Sequence, residues 1–488
     1  MNARDLNDIL DHIAASVPLF GTELILALGV LTVLSLALKK NPDSAIIHAT
    51  ALLFFILATV SSFIETSRSS STIFLEMFRT GGSFGSYLKI LFSVSGGLTV
   101  AMTWRNPAIR LRLSEYYSLL LTVVLGANLL VMSENLLAVF LAIEMISIPS
   151  YVLAGFAFEK KSAEASLKYF IYGSIASAIM LYGTSILYGT FGTLNFTQFQ
   201  LPAPDNLVNF YIGGALTLAG FLFKIAAAPM HPWAPDVYEA APMPIVAFFS
   251  VVPKLAGISI LMKFALFSVP AGINWQSIIC GIAILTLIAG NFAALLQKGV
   301  RRLMAYSSIG QSGFFLAGVA AGSVSAAEAI MFYATIYLLL NFALFFFLQY
   351  FENRAFTTIA SFEGSGRSWL LPNVLMLISF IALTGLPPTA GFTGKLFIFS
   401  ALWNTYALNA NPLLLGLLVF GLLNTVISLF YYLRIPYYAF IKPQREAGAI
   451  NNPLFENFFA TILVLLVLLF FFSPQLLMGW INRSNFVF

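Results

Sequence analysis

The sequence predicts an all-α polytopic membrane protein with about 14 transmembrane helices, arranged as two inverted five-helix repeats. Three observations predict this fold. Of the 488 residues, 59% are hydrophobic and 9% are charged, against roughly 45–50% and about 25% in an ordinary soluble domain. Apolar runs of about twenty residues recur along the chain, and each could cross a hydrocarbon core as a helix. Two of these runs are interrupted at corresponding places by prolines and glycines.

Hydropathy places fourteen helices along the chain, and we number them in order. Their predicted bounds are 18–38, 45–64, 87–104, 114–133, 135–157, 166–188, 209–230, 243–267, 274–296, 303–322, 327–350, 373–402, 412–437 and 455–480.

Basic side chains in the loops alternate as this helix count requires. Cytoplasmic loops collect Lys and Arg, and the count puts fifteen loop cations on one side and four on the other. A miscounted helix would scramble the split. The split therefore predicts a multi-pass protein with both termini facing away from the cytoplasm. The length of the chain favours a bacterial inner membrane, with both termini on the periplasmic side, and a thylakoid membrane is the alternative. The fifteen are Lys39, Lys40, Arg105, Arg110, Arg112, Lys160, Lys161, Lys298, Arg301, Arg302, Arg354, Arg367, Arg434, Lys442 and Arg445, and the four are Arg4, Arg68, Arg79 and Arg483.

Three of the remaining lysines lie deep inside predicted helices. They are Lys224, Lys254 and Lys395. An ionised lysine at the centre of a membrane helix costs at least ~2.5–3.5 kcal/mol, and packing alone would favour leucine. We therefore interpret these three as functional. Lys168, at the start of its predicted helix, is a further candidate.

Charged residues near helix ends are expected to face solvent. Lys89 and Lys263 lie within about one turn of helix ends, so their ammonium groups are predicted to snorkel to the interface. Glu23 lies near an end but within an apolar run, and is left unassigned. Five other carboxylates are predicted to be solvated: Glu115, Glu134, Glu159, Glu164 and Glu328.

Glu144 differs from the other carboxylates because it lies in the middle of an apolar helix, in LLAVFLAIEMISIPSYVLAG. A buried carboxylate without a partner is energetically costly. We therefore expect a lysine from another helix to pair with it.

Two broken helices indicate an internal repeat. Helix 7 carries Lys224 shortly before Pro229, and helix 12 carries Lys395 shortly after Pro387 and Pro388. A simple proline kink is the alternative explanation. Matched positions argue against it, because helix 7 is the fourth of helices 4–8 and helix 12 is the fourth of helices 9–13. Five crossings return the chain on the opposite side, so the second unit is inverted, as in secondary transporters.

The repeats divide the chain into four predicted segments. Residues 1–113 form helices 1–3, residues 114–267 the first five-helix proton-channel repeat, residues 268–437 the second, inverted repeat, and residues 438–488 carry helix 14. Each repeat would offer one half-channel, and the two would open to opposite faces of the membrane.

Other chemistry is not indicated by the sequence. It contains no G-x-x-x-x-G-K-[ST], no dinucleotide-binding glycine pattern and no G-x-S-x-G. Cys280 is the single cysteine, and His12, His48 and His231 lie too far apart for paired ligands on one helix, so we expect neither haem nor zinc. The net charge of +5 is explained by topology rather than by nucleic acid. Proton transfer is the predicted chemistry, with no cofactor in this chain.

Several motifs resemble the antiporter-like membrane subunits of complex I. They are HPWAPDVYEAAP at residues 231–242, KLAG at 254–257, RRLMAYSSI at 301–309, GLPP with GFTGK between 385 and 395, and YYLR at 431–434. The resemblance extends from about helix 3 to helix 14. Within the family, the Pro-Asp-Val-Tyr-Glu continuation is similar to the subunit N branch.

This resemblance implies a path for protons along a hydrophilic axis. Glu144 would pair with Lys224, Lys254 would continue the axis, and Lys395 would end it. A conformational change in a neighbouring subunit would move Glu144 relative to Lys224 and so change the protonation of the lysine.

Two further residues, Lys168 and His231, would connect these groups.

Two departures from the family pattern stand out. Arg301 replaces a lysine found in many relatives, and an arginine does not deprotonate usefully. Gln311 replaces a histidine, which removes a titrating group from that position.

The resemblance also implies partners and cofactors. Quinone, iron–sulfur clusters and FMN with NADH, or a ferredoxin donor, would belong to partner subunits, and the membrane neighbours would be K-like and M-like subunits together with lipid. Three alternatives remain open: a sodium/proton antiporter module, a membrane-bound hydrogenase subunit, and a structural membrane spacer. The Pro-Asp-Val-Tyr-Glu string favours complex I over the antiporter module.

Overall fold

The computed structural model describes residues 17–39, 43–66, 72–74, 77–80, 83–106, 109, 112–199, 202–267, 275–443 and 454–483. It divides the chain into two compact units. The first consists of the described parts of Met1–Leu153 and Ser177–Thr217, and the second of those of Ala154–Ala176 and Leu218–Arg483. Several loop cations of the charge count lie outside the described residues: Arg4, Lys40, Arg68, Arg110 and Arg445.

Each of the fourteen predicted membrane segments is helical, which confirms the all-α membrane fold. Eleven helices in the described part are long and apolar enough to cross a membrane, and two shorter apolar helices accompany them. The helices are α1 Gly21–Leu36, α2 Ser44–Thr66, α3 Ser83–Trp104, α4 Leu113–Met132, α5 Leu136–Ala154, α6 Lys160–Phe191, α7a Leu207–Lys224, α7b Trp233–Ala240, α8 Met243–Phe267, α9 Trp275–Leu296, α10 Val300–Ala321, α11 Val324–Glu352, α12a Leu370–Thr384, α12b Ala390–Asn409, α13a Pro412–Tyr432, α13b Arg434–Phe440, α14a Leu454–Phe472 and α14b Pro474–Arg483.

Short elements connect these helices. A hairpin of β1 (Thr72–Phe74) and β2 (Phe78–Thr80) pairs antiparallel between α2 and α3. Single helical turns occur at Val17–Phe20, Phe196–Gln198, Pro204–Asn206, Ile359–Phe362 and Ser365–Ser368.

Both predicted breaks are present. Helix 7 stops at Lys224, where 230 was expected, and resumes as α7b at Trp233. Ala226, just beyond the stop, adopts a left-handed φ of 53°. The chain therefore leaves the helix before the first proline is reached, and Lys224 becomes the last residue of α7a rather than one inside a longer helix.

Helix 12 is divided between α12a and α12b. Gly385 ends α12a with a φ of +89°, a conformation that side chains other than hydrogen disfavour. The chain resumes a helical path at Ala390. Lys395 thus lies in the second turn of α12b, directly after the break.

Helix 6 begins at Lys160 rather than at residue 166. Lys168, predicted at the helix start, therefore lies in its third turn. Lys160, Lys161 and Glu164 precede Lys168 on this helix and are solvent-exposed. Because these charged residues lower the local hydropathy, the predicted helix began after them.

The helices differ in how much apolar surface they expose. α8 and α11 of the second unit are buried throughout their apolar windows, whereas α2 of the first unit leaves many apolar side chains uncovered. A helix that is apolar all round lies inside a bundle or faces lipid. Lys254 accordingly lies on a helix surrounded by protein. Cys280 is a buried residue, as predicted.

Three charged residues contradict the expectation that groups near helix ends face solvent. Lys89 and Lys263 are only 2% and 4% exposed, so the snorkelling prediction was wrong for both. Glu134 is fully buried, and its Oε1 lies 2.9 Å from Nε of Arg79. Distance from a helix end did not predict exposure, because neighbouring elements of the protein cover these side chains.

Candidate functional site

Lys395 is buried in the break of helix 12, within the second unit. Its Nζ donates hydrogen bonds of 2.9 Å to the carbonyl oxygens of Leu383 and Thr384. These are the last two residues of α12a, whose carbonyl groups have no partner inside the helix. The ammonium group also lies 4.0 Å from the centre of the Phe314 ring, at the distance of a cation–π contact.

Two glycines permit this arrangement. An added Cβ at Gly385 would lie 2.7 Å from Cδ of Lys395, and one at Gly391 would lie 1.8 Å from the carbonyl oxygen of Ala382. The sequence GLPPTAGFTGK therefore allows the two half-helices to approach closely while the lysine side chain crosses the gap.

Lys254 lies in the middle of α8 and is also buried. Its Nζ donates to Ser308 in α10, with distances of 2.5 Å to the carbonyl oxygen and 2.7 Å to Oγ. The Ser308 hydroxyl lies 3.1 Å from the hydroxyl of Tyr238 and 3.0 Å from that of Tyr337. Lys254 is thus attached to a cluster of three hydroxyl groups.

Gln311 links a second polar cluster to Lys395. Its Nε2 donates to the carbonyl oxygen of Leu383 at 3.2 Å and to the hydroxyl of Tyr432 at 3.1 Å, and its Oε1 accepts from Tyr333. Leu383 is the residue whose carbonyl also binds Lys395. Gln311 stands where many relatives have a histidine. Its side chain is fixed there by hydrogen bonds to Leu383, Tyr432 and Tyr333.

The two clusters lie along α10, because Ser308 and Gln311 are one helical turn apart. Neither Lys254 nor Lys395 forms an ion pair with any residue that the structure describes. Hydroxyl and carbonyl oxygens are the groups that stabilise both ammonium groups. Such groups can exchange or accept hydrogen bonds while the lysine itself gains or loses a proton.

Lys224 ends α7a and is 2% exposed. It packs against α8 at Gly257, where an added Cβ would meet Ile225 at 2.6 Å and Cβ of Lys224 at 3.4 Å. The freed carbonyl of Ile225 accepts from Ser312 at 2.7 Å, and that of Phe223 accepts from Nε1 of Trp233 at 3.1 Å. The break is therefore stabilised by side chains, as a membrane-embedded irregular segment requires.

His231 lies between α7a and α7b and is half-buried. Its Nδ1 has no hydrogen-bond partner among the described residues. The side chain thus has an unused donor or acceptor next to the break that carries Lys224.

Lys168 belongs to a cluster of charged residues. Its Nζ lies 2.9 Å from Glu164 and 3.2 Å from Asp236. Nη1 of Arg302 lies 3.1 Å from Oδ1 of Asp236 and 2.8 Å from Oε2 of Glu239. The Lys168 side chain is 45% exposed, so the structure separates it from the three deeply buried lysines.

Arg301 has a structural role that explains why an arginine suits this position. Its Nη1 donates to the carbonyl oxygens of Tyr238, Glu239 and Ala241 at 3.3, 3.1 and 2.5 Å, and Nη2 lies 2.8 Å from Glu352. The first three belong to the end of α7b, where helical carbonyls lack partners. A guanidinium offers the several donors that this needs.

A cavity of about 360 Å³ adjoins this cluster. Its charged lining residues are Lys161, Glu239, Arg301, Arg302 and Glu352. All lie at the ends of α6, α7b, α10 and α11 that the charge count assigns to the cytoplasmic side.

Glu144 belongs to the first unit and lies in the middle of α5, as predicted. It is half-buried and accepts a hydrogen bond from the hydroxyl of Ser177. Ser177 is therefore a polar neighbour of Glu144 that the sequence did not reveal.

Other residues were also missed from the sequence. Ser308 and Tyr432 lie inside the RRLMAYSSI and YYLR motifs, so the signal that could have identified them was present. Tyr333 and Tyr337 had no such signal, because aromatic residues are common in the apolar run of α11. Their roles follow only from the packing of α11 beside α10.

Broken helices with buried, hydrogen-bonded lysines define a class of protein: helical membrane proteins that hold ionisable groups inside the bilayer, as proton and ion translocators do. A family model described as NADH:quinone oxidoreductase/Mrp antiporter, TM, matches residues 133–427. The chain belongs to this family.

Two sequence relatives and one solved structure are similar to this chain over nearly its whole length. The chain is 33% identical to NADH-quinone oxidoreductase subunit N 2 of Chloroherpeton thalassium, with 97% of this chain and 96% of the relative covered. It is 34% identical to NADH-quinone oxidoreductase subunit N of Chlorobium chlorochromatii, with 96% and 95% covered. Among solved structures, a chain of respiratory complex I from Thermus thermophilus with bound aureothin superposes with a TM-score of 0.80 at 28% identity, covering 95% of this chain and all of the other.

Proposed function

We propose that this chain is the antiporter-like subunit N of a complex I-type NADH–quinone oxidoreductase, and that it translocates protons along an axis of Glu144, Lys224, Lys254 and Lys395. The relatives named NADH-quinone oxidoreductase subunit N, matched over nearly their whole length, support the assignment to this branch. The energy for translocation comes from redox subunits elsewhere in the complex. Two five-helix repeats, residues 114–267 and 268–437, supply the half-channels.

One observation carries the proposal: Lys254 and Lys395 are 3% exposed, and within the described part of the chain both donate hydrogen bonds to oxygen atoms of neutral groups and neither forms an ion pair. A lysine kept only for stability would be expected to have a carboxylate partner, because an isolated buried charge is costly. A neutral amine retains two N–H donors. Each lysine can therefore release a proton and still make two hydrogen bonds.

The switch in this mechanism is the distance between Glu144 and Lys224. A nearby carboxylate stabilises the ammonium form of a buried lysine, and its withdrawal favours the amine. Moving one charge against the membrane potential requires ~2.3 kcal/mol per 100 mV, which is within the reach of such a buried interaction. The proton released by Lys224 passes through water to Lys254 and then to Lys395, with His231 and Lys168 as connecting groups.

The location and partners follow from the same assignment. The chain would lie in a bacterial inner membrane with both termini on the periplasmic side, between K-like and M-like subunits and lipid. Quinone, iron–sulfur clusters and FMN would be bound by other subunits. This chain would contribute the proton path and no redox centre.

The direct test uses Lys224→Ala and Glu144→Ala in the intact complex, reconstituted into vesicles. Both variants should lower coupled proton pumping while the complex assembles normally. The Lys298→Ala variant at an exposed loop position is the control and should pump like the parent. Unchanged pumping by Lys224→Ala and Glu144→Ala at normal subunit content would contradict the proposal.

Two rival functions are distinguished by composition and exchange. Gentle extraction from the membrane should yield the chain together with quinone reductase and iron–sulfur subunits. A preparation that lacks them and exchanges Na⁺ for protons would identify an antiporter module instead. A membrane spacer would tolerate substitution of all buried lysines without loss of pumping.

A further inference from the structure

Gln311 lies on α10 between the groups that bind Lys254 and those that bind Lys395. Ser308, one helical turn earlier on α10, accepts from Lys254 at 2.7 Å. The carbonyl of Leu383 accepts from Gln311 at 3.2 Å and from Lys395 at 2.9 Å. The Gln311 side chain is 2% exposed. Because Lys254 belongs to the first proposed repeat and Lys395 to the second, Gln311 lies where the two half-channels would meet.

Hydrogen bonds hold the Gln311 amide in one orientation. Its Nε2 donates to the carbonyl oxygen of Leu383 and, at 3.1 Å, to the hydroxyl of Tyr432. Its Oε1 accepts from the hydroxyl of Tyr333. A backbone carbonyl only accepts hydrogen bonds, so the group that faces Leu383 must be the amide nitrogen. Both N–H groups are therefore in use, and the amide cannot turn over without losing bonds.

The chemistry of a carboxamide sets this position apart from its neighbours. An amide donates and accepts hydrogen bonds, but it is not among the side-chain groups that take up and release protons in proteins. The network runs from Tyr333 through Gln311 to Leu383. A proton that reaches Oε1 cannot be passed on from Nε2. The two sides are thus joined by hydrogen bonds and separated for proton transfer.

An aromatic ring borders the same junction. Phe315 is fully buried, and its ring centre lies 5.1 Å from that of Tyr333 and 5.6 Å from that of Tyr337. Tyr337 belongs to the hydroxyl cluster at Lys254, whereas Tyr333 binds Gln311. Among the described residues, no hydrogen bond joins the two tyrosine hydroxyls. The apolar ring therefore leaves the amide as the connection between the two clusters.

We propose that Gln311 is a specificity-determining residue of the proton axis, an amide junction that carries hydrogen bonds but not protons between the two half-channels. This inference rests on the proposed function. Passage from Lys254 to Lys395 then requires water to enter between the clusters, which the driven conformational change supplies. The junction prevents protons from leaking down their gradient when no electrons are transferred.

The test replaces the amide by a group that can transfer a proton. The intact complex is reconstituted into vesicles, a pH gradient is imposed without an electron donor, and its decay is recorded. Gln311→His supplies an imidazole that takes up a proton on one nitrogen and releases one from the other. Gln311→Glu supplies a carboxyl group of nearly the same shape. Each should raise the leak rate by about tenfold or more, because such groups typically accelerate proton transfer about 10²–10⁴-fold.

Two control variants separate titration from packing. Gln311→Met removes the hydrogen bonds without adding a titratable group, so its leak rate should equal that of the parent. Gln349→His places an imidazole at another buried glutamine, which is 3% exposed on α11 and outside this network, and it should not leak. Subunit content by immunoblot normalises each rate. Either titratable variant decides the question where the other assembles poorly.

A double variant tests the route of the leak. If protons cross the junction, they pass Lys254 on their way to Lys395. Lys254→Met combined with Gln311→His should therefore return the leak rate to the parental value.

Three outcomes would overturn the proposal. Parental leak rates in assembled Gln311→His and Gln311→Glu would show that the amide is not the barrier. Equal leak in Gln311→Met and Gln311→His would assign the effect to packing. A leak that persists in the double variant would lie outside the axis.

Failure of the junction can be distinguished from failure of the proposed function. Normal pumping by Lys224→Ala and Glu144→Ala would contradict the proton axis itself. Loss of pumping in those two variants, together with no leak in Gln311→His, would contradict only the junction.

Discussion

Nζ of Lys395 donates a 2.9 Å hydrogen bond to the carbonyl oxygen of Leu383 across the break in helix 12. A second 2.9 Å bond to Thr384 accompanies it. The lysine therefore completes the end of α12a and is held in place by backbone that the break exposes. Because two N–H groups suffice for two carbonyls, the third proton of the ammonium group can leave without disturbing this connection.

Replacement of Lys395 should separate its structural role from its role in proton transfer. Lys395→Arg keeps the charge and the donors but does not deprotonate, and Lys395→Met removes both. We expect both variants to lower the rate of the proton-transfer steps that use Lys395 by about 10²-fold. The Lys395→Arg variant should retain more assembled complex than Lys395→Met. Pumping in reconstituted vesicles and subunit content by immunoblot check this. Normal pumping by Lys395→Arg would show that only the hydrogen bonds matter.

Gly385 should not tolerate even a methyl group. Its φ of +89° disfavours other residues, and an added Cβ would lie 2.7 Å from Cδ of Lys395. Gly385→Ala should destabilise the chain by roughly 1–2 kcal/mol because of the left-handed backbone conformation alone, and the added methyl group should displace Lys395. Thermal unfolding in nanodiscs measures the loss of stability, and proton pumping measures the displacement of the lysine. Gly416→Ala, where no atom lies within 4 Å of the added Cβ, is the matched control and should behave like the parent.

Ser308 should matter for Lys254. Ser308→Ala removes the Oγ that accepts from the lysine at 2.7 Å and that joins it to Tyr238 and Tyr337. Loss of one buried hydrogen bond costs about 1 kcal/mol, so we expect roughly a fivefold slower pumping rate at normal assembly. Ser308→Thr restores the hydroxyl and should recover most of the rate, and Ser325→Ala on the exposed start of α11 should have no effect. Equal rates for Ser308→Ala and Ser325→Ala would exclude the hydroxyl cluster from the path.

Lys168 should contribute less than the buried lysines. Its side chain is 45% exposed and bound to Glu164 and Asp236, and exposed ion pairs are typically worth only about 0–1 kcal/mol. Lys168→Met should therefore lower pumping by no more than about fivefold, an effect that weakens at high salt. A loss as large as that of Lys395→Met would place Lys168 among the essential proton carriers.

The helical fold could be predicted because membrane solvation imposes a simple rule. Every segment that crosses the bilayer must satisfy its own backbone hydrogen bonds, so twenty apolar residues predict a helix. The prolines and glycines near Lys224 and Lys395 further located both breaks. Their bounds were less accurate, because Ala226 leaves helical geometry without any helix-breaking residue at that point.

The candidate lysines could be identified for an energetic reason, since an ionisable group inside an apolar run is expensive. Their partners could not be identified. Ser308, Gln311 and Leu383 are brought to Lys254 and Lys395 by helix packing and backbone geometry, which leave no periodic signal. Lys89 was misjudged for the same reason, because its carboxylate partners come from two other helices.

Proton release by Lys254 is the central step of the proposed proton axis. The decisive measurement is the number of protons translocated per electron pair in vesicles containing the intact complex with Lys254→Met, compared with Lys298→Met at an exposed position. We predict normal subunit content in both, a lowered proton-to-electron ratio in Lys254→Met, and the parental ratio in Lys298→Met. A parental ratio in a fully assembled Lys254→Met complex would contradict the proposed proton axis.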